Sequence, residues 1–216
     1  LVMHVNGMTF MEAKKAIEAQ LPTSTFELPK AAPRVMTDCS AIWRQCLKLT
    51  AYDAAGLYLA KRGLKLADFP TQLRFHPSTR YVHDDKSVTY HPALVALFAA
   101  PDASDYTLHT TFLDAEGNKA ALPKVRKLAA RTIPKGGAVR LFSSAATMGI
   151  AEGIETALSA AALFDVPVWS ALSAGGLIAL RMLGSTEKRI SVLGVTYATA
   201  IVFNAVMMIP TFKWPR

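Results

Sequence analysis

Apolar residues first recur at helical spacing over residues 8–21, MTFMEAKKAIEAQL, where Phe10, Ala13, Ile17 and Leu21 fall on one stripe. Thr9 ahead of that stripe and Glu12 three residues later have the form of a capping box. Residues 22–37 carry Pro22, Pro29 and Pro33 without periodicity and read as a linker. A second helix is predicted from about Ser40 to Leu49. A third runs from Asp53, an N-cap, to a stop at Gly63, with Lys61 and Arg62 at the negative end of its dipole. Between residues 64 and 120 the pattern changes to β-branched and aromatic runs: LRFHP, TYHPALVALFA and YTLHTTFLDAEGNKA predict strands, with a hairpin turn around Glu116–Asn118. Gly136 and Gly137 then lead into AVRLF, a short strand. The stretch TMGIAEGIETALSAAALFDVPVWSALSAGGL predicts a strand over 147–151, a sharp turn at Glu152-Gly153, a helix over 154–164 and a strand over 166–171. That is a βαβ unit with its two strands parallel. The fold class is α/β: a helical N-terminal region, a mixed β-rich subdomain, then a partial parallel sheet.

Composition adds three constraints. Half of the 216 residues are apolar and 19% are charged, which fits a globular chain. The formal charge of +8 favours an anionic partner, nucleic acid ahead of membrane. Most of it comes from Gly117–Met148, which holds Lys119, Lys124, Arg126, Lys127, Arg131, Lys135 and Arg140 and no acidic residue. These cations could neutralise phosphates, or could form a solvated face that keeps the chain soluble. Cys39 and Cys46, the only cysteines, lie two helical turns apart, too far for a disulfide, and read as reduced thiols of a cytoplasmic protein. No Cys/His spacing forms a zinc site.

Residues 190–212 form a 23-residue run without a charge, long enough for a membrane span. Ser191, Thr196, Tyr197, Thr199 and Asn204 dilute it, and Gly194 with its β-branched neighbours fits a buried strand as well. A strand and no membrane is the expectation.

The candidate chemistry centres on Glu152. A carboxylate at the carboxyl end of a strand, followed by a glycine and a helix, stands where open α/β sheets bind ligands. It could hold Mg²⁺ or exchange a proton with a reacting hydroxyl; equally it could only complement the helix dipole. His76, His91 and His109 are scattered and lack helical metal-site spacing, so they read as structural, and Trp43 and Trp169 as core. Ser170 and Ser173 have no G-x-S-x-G context, which argues against a hydrolase triad, and no G-x-x-x-x-G-K-[ST] loop is present, which excludes a helicase motor.

GIAEGIETALSA followed by PVWSALSAGGL resembles the first motif of the Toprim domain in DNA primases of the phage and plasmid kind. LRFHP, YHPALVA, LHTTFLDAEGNKA and GGAVRLF resemble the segment that precedes Toprim in those proteins, and LVMHVNGMTFMEAKKAIEA resembles the segment on the C-terminal side of their zinc ribbon. The resemblance covers residues 1 to about 183. It divides the chain into 1–36, a zinc-ribbon-linked helix and linker; 37–145, a primase-associated α+β domain; 146–188, the first half of a Toprim domain; and 189–216, an atypical apolar tail.

The resemblance implies RNA primer synthesis on single-stranded DNA from nucleoside triphosphates, with Mg²⁺ as cofactor and a replicative helicase as a possible partner. Glu152 would be the catalytic acid or base and a metal ligand. In that family a downstream Asp-x-Asp also binds Mg²⁺. Here RISVLGV could be the expected later strand, but the last aspartate of the chain is Asp165. The chain is therefore expected to be a piece of something longer, with a divergent or frameshifted tail, and weak or inactive by itself. Two other readings stay open: a non-catalytic nucleic-acid-binding remnant, and a membrane-associated protein anchored by residues 190–212.

Overall fold

The computed structural model describes residues 7–20, 36–129, 132–145, 147–183, 191–195 and 204–210. The chain divides into two units, residues 1–35 and 36–216. In the first, helix α1 (Phe10–Gln20) starts as its sequence predicts. The Thr9 backbone N–H donates to Glu12 Oε2 at 2.8 Å, and the Glu12 N–H donates to Thr9 Oγ1 at 3.4 Å. The linker expected over 22–37 lies almost wholly outside the described residues.

The second unit begins with α2 (Cys39–Gln45), whose N-cap Asp38 accepts from the N–H groups of Ser40 and Ala41. The helix is shorter than its sequence predicts. Cys46 is extended, and Leu47–Lys48 form strand β1, paired with Phe75 and Arg74; a sheet edge captures residues that could have continued the helix. Helix α3 (Ala54–Lys61) is capped by Asp53 and stops before Gly63, which takes the left-handed φ of +79°.

Strands β2 (Leu73–Val82), β3 (Val88–Ala99), β4 (Tyr106–Phe112) and β5 (Arg126–Leu128) complete an antiparallel sheet in the order β1-β2-β3-β4-β5. The register of β2 against β3 shifts between His76 and Thr79. Pro77 lies within that irregularity, where a residue that cannot donate to a ladder is tolerated. Ala93, Leu94, Val95 and Ala96 are all buried, because β3 is covered on both faces. On one face, Ala93 and Val95 pack with Cys39, Cys46 and Leu108 below α2; on the other, Leu94 and Ala96 join Leu59 and Leu158 in the main core.

The predicted βαβ unit is present: β6 (Thr147–Ala151), α4 (Ile154–Phe164) and β7 (Val168–Ser170), with β6 and β7 parallel. Helix α5 (Ala174–Leu183) follows. AVRLF is not a strand. Ala138 bridges Ala99 and Val139 bridges Ser170, so two residues join the end of the central strand β3 to β7. In the tail, β8 (Ser191–Val195) and β9 (Asn204–Pro210) are antiparallel to each other, and β9 is antiparallel to β6, giving the order β7-β6-β9-β8. Within RISVLGV, Ser191–Val195 supply a strand, and among the described residues it pairs with β9 and not with β6 or β7. The fold is α/β, with one antiparallel sheet and a second sheet holding one parallel pair. Among the described residues, no helix is long and apolar enough to cross a membrane.

Candidate functional site

Glu152 stands directly after β6, and Gly153 is the N-cap of α4. Its backbone carbonyl accepts from Ser170 Oγ at 3.2 Å, which ties the turn to the end of β7. Its half-buried carboxylate has no hydrogen bond or ion pair among the described residues. Across β7, the residues Ala171, Leu172 and Ser173 line a cavity of about 460 Å³. Phe98, Leu128, the loop 133–137 and the first turns of α5 form its other walls. Gly176 lets α5 approach so closely, since a Cβ there would stand 2.2 Å from the Ala171 carbonyl oxygen. Glu152 is beside this cavity and not part of its lining.

A second carboxylate, Glu155, lies one helical turn on and is largely buried. It pairs with the Arg126 guanidinium and accepts a 2.5 Å hydrogen bond from the Tyr58 hydroxyl. Burial works to raise the Glu155 pKa, but Arg126 and Tyr58 outweigh it and hold the carboxyl below its usual range. Burial, reinforced by Glu155, pushes the Tyr58 phenol up to about 12, so it stays a donor. Burial and then the Arg126 charge hold His109 down to about 4, and its Nδ1 has no hydrogen-bond partner among the described residues. Glu155 was not singled out by sequence. The only signal for it was an acidic residue in the first turn of a helix, a pattern usually explained by the dipole.

The seven predicted phosphate-binding cations separate into groups. Arg126 is held by Glu155. Lys127 donates to the Val82 carbonyl at 3.0 Å and lies over the Tyr81 ring. Arg140 donates to the carbonyls of Ala100 and Pro101 and stacks on Trp169. Lys119, Lys124 and Lys135 are exposed, the last at the cavity wall, and Arg131 lies outside the described residues.

The histidines hold structural places. His76 contacts Gln45 and accepts from the Ser78 N–H, and His91 reaches Thr89. Trp169 is buried and donates to Phe142 O, while Trp43 lies under Arg74. Both cysteines are buried and free. Among the described residues, no group of three or more His, Cys, Asp or Glu could hold a metal ion. One free carboxylate, with the next one engaged by an arginine, does not make up a two-ion site.

A family model described as "Domain of unknown function (DUF7146)" matches residues 34–141. That stretch takes in the antiparallel sheet and most of the basic segment, and it ends before Glu152. No curated protein and no solved structure matches the chain.

Proposed function

The chain belongs to the DUF7146 family, and from that premise we propose that it is a segment of a Toprim-like, primase-type nucleotidyltransferase acting on single-stranded DNA. The observation that carries this reading is Glu152 at the carboxyl end of β6, opening the helix of a parallel βαβ unit, with a carboxylate that has no partner among the described residues. A carboxylate in that place can take the proton of an attacking ribose hydroxyl. The adjoining cavity, apolar with Lys135 at its wall, has the size of a small-ligand pocket and suits a nucleobase with its phosphates outward. Lys119, Lys124 and Lys135 would hold template or nucleotide phosphates.

Mg²⁺ would supply charge neutralisation at the phosphates, but the carboxylates to hold it must come from outside the described residues. By itself the chain should therefore bind nucleic acid and make little or no primer. The lack of a metal-holding group among the described residues favours, as the second reading, a binding segment without chemistry.

Incorporation of labelled ribonucleotides on single-stranded DNA with Mg²⁺ or Mn²⁺ is the test. Product that is lost in Glu152→Gln supports the enzymatic reading. Product that survives Glu152→Gln removes Glu152 from the reaction. No product, together with DNA binding, leaves the binding segment.

A further inference from the structure

One cation pairs with the carboxylate of Glu155, and two more act on it electrostatically. Arg126 pairs with it directly. Arg62, at the C-cap of α3, lies with its guanidinium 4.9 Å from the centre of the Tyr58 ring and acts on Glu155 electrostatically. Lys119 reaches the same neighbourhood from the turn after β4, where it feels Arg126, Arg62 and Glu155.

That turn is fixed firmly. Asn118 bonds to Asp114, and Lys61 Nζ donates to Asn118 Oδ1 at 2.7 Å. Gly117 sits against α3, where a Cβ would stand 2.6 Å from Leu57 Cβ and 2.7 Å from the Tyr58 nitrogen. The cations are thus brought together by rigid elements, although one negative charge cannot balance three positive ones. Burial, then Arg126 and Arg62, hold the Lys119 ammonium below its ordinary pKa. The cations themselves are exposed and only the carboxylate is largely buried, yet three like charges that repel one another act on that one anion.

We propose that Arg62, Lys119, Arg126 and the Tyr58 hydroxyl form a phosphate subsite, and that in the free protein the Glu155 carboxylate occupies it as an internal substitute for the ligand. Arginine's planar fork matches a phosphate as well as a carboxylate, and the phenol donates to either. A phosphate that displaces Glu155 would lie at a residue three positions along the chain from Glu152. This inference rests on the nucleic-acid reading above and deepens it: it adds Arg62 and Tyr58, which lie outside the basic segment, and makes Glu155 a competitor of the ligand.

The experiment measures binding of a single-stranded oligonucleotide, and separately of ATP, by the whole chain over a range of salt. The variants are Glu155→Gln, Arg62→Gln and a Lys124→Gln/Lys135→Gln pair. Glu155→Gln should bind the phosphate ligand roughly threefold to tenfold more tightly, as loss of one competing charge implies. Its plot of log K against log salt should steepen by about 0.7 on single strands, the value of one more phosphate contact. Arg62→Gln, an exposed residue whose change spares the fold, should weaken binding and flatten the plot by about the same amount.

Effects on the oligonucleotide alone identify a backbone phosphate as the ligand. Effects on ATP alone identify a nucleotide phosphate. Unchanged binding in Arg62→Gln overturns the subsite, as does unchanged or weaker binding in a folded Glu155→Gln. If the lysine pair still lowers affinity in that case, the nucleic-acid reading survives without the subsite. No salt-sensitive binding of either ligand by the wild-type chain overturns both.

Discussion

Acidification from pH 7 to pH 4.5 should cost this protein stability, with the largest share through His109. It lies on β4 near Arg126 and Glu155, and its buried Nδ1 has no hydrogen-bond partner among the described residues. Burial first, and Arg126 second, hold its pKa down to about 4 from 6.5, with Glu155 opposing. In the unfolded chain the ring takes a proton below pH 6.5, whereas in the fold it resists until about pH 4. Its contribution is therefore complete above pH 6.5 and is lost as the pH falls toward the folded value. Linkage with those two values gives a loss of about 2 kcal/mol between pH 7 and pH 4.5. With a urea m-value of about 2 kcal/mol/M, the unfolding midpoint should fall by about 1 M. The depressed carboxylates, Glu155 included, are still ionised over most of that window and titrate mainly below it. His76 is also depressed, so the control is His109→Gln, which should flatten the pH dependence of the urea midpoint. Equal losses in wild type and His109→Gln would refute the reasoning.

Gly117→Ala should destabilise the fold by about 3 kcal/mol or more, measured by urea unfolding. It combines a left-handed φ of +77° with a Cβ driven into Leu57, the Tyr58 nitrogen and the Ala54 carbonyl. Glu152→Gln, at a carboxylate with no partner among the described residues, should change stability by less than about 0.5 kcal/mol, so any lost activity can be assigned to chemistry and not to unfolding. The Cys46 thiol, pushed up to about 11 by burial, should react with a thiol reagent at pH 8 far more slowly in the native protein than in urea. Equal rates would place that thiol at the surface.

Where local chemistry decides structure, the sequence was informative. The Thr9/Glu12 box, the Asp53 cap and the Gly63 stop all stand where the residue types put them. The β–α–β unit around Glu152 was legible because strand, glycine turn and amphipathic helix succeed one another within 25 residues. Long-range pairing was not legible. Nothing near residue 47 says that β2 will take Leu47–Lys48 out of a helix. The charge run over 119–140 could not show that Arg126 would meet a carboxylate 29 residues away, or that Arg140 would bind the turn at Ala100 and Pro101. The partner of RISVLGV was equally hidden, since an apolar β-branched strand reads alike whether its neighbour is parallel or antiparallel.

The measurement that tests the central claim most directly is the affinity of the chain for a single-stranded oligonucleotide as salt is raised, for wild type and for Lys119→Gln, Lys124→Gln and Lys135→Gln combined. Binding should weaken linearly on a log–log plot, with a slope smaller by about 2 in the triple variant, the value of three lost phosphate contacts at about 0.7 each. Binding that is absent, indifferent to salt, or unchanged by loss of the three lysines would contradict the claim that this chain works on nucleic acid.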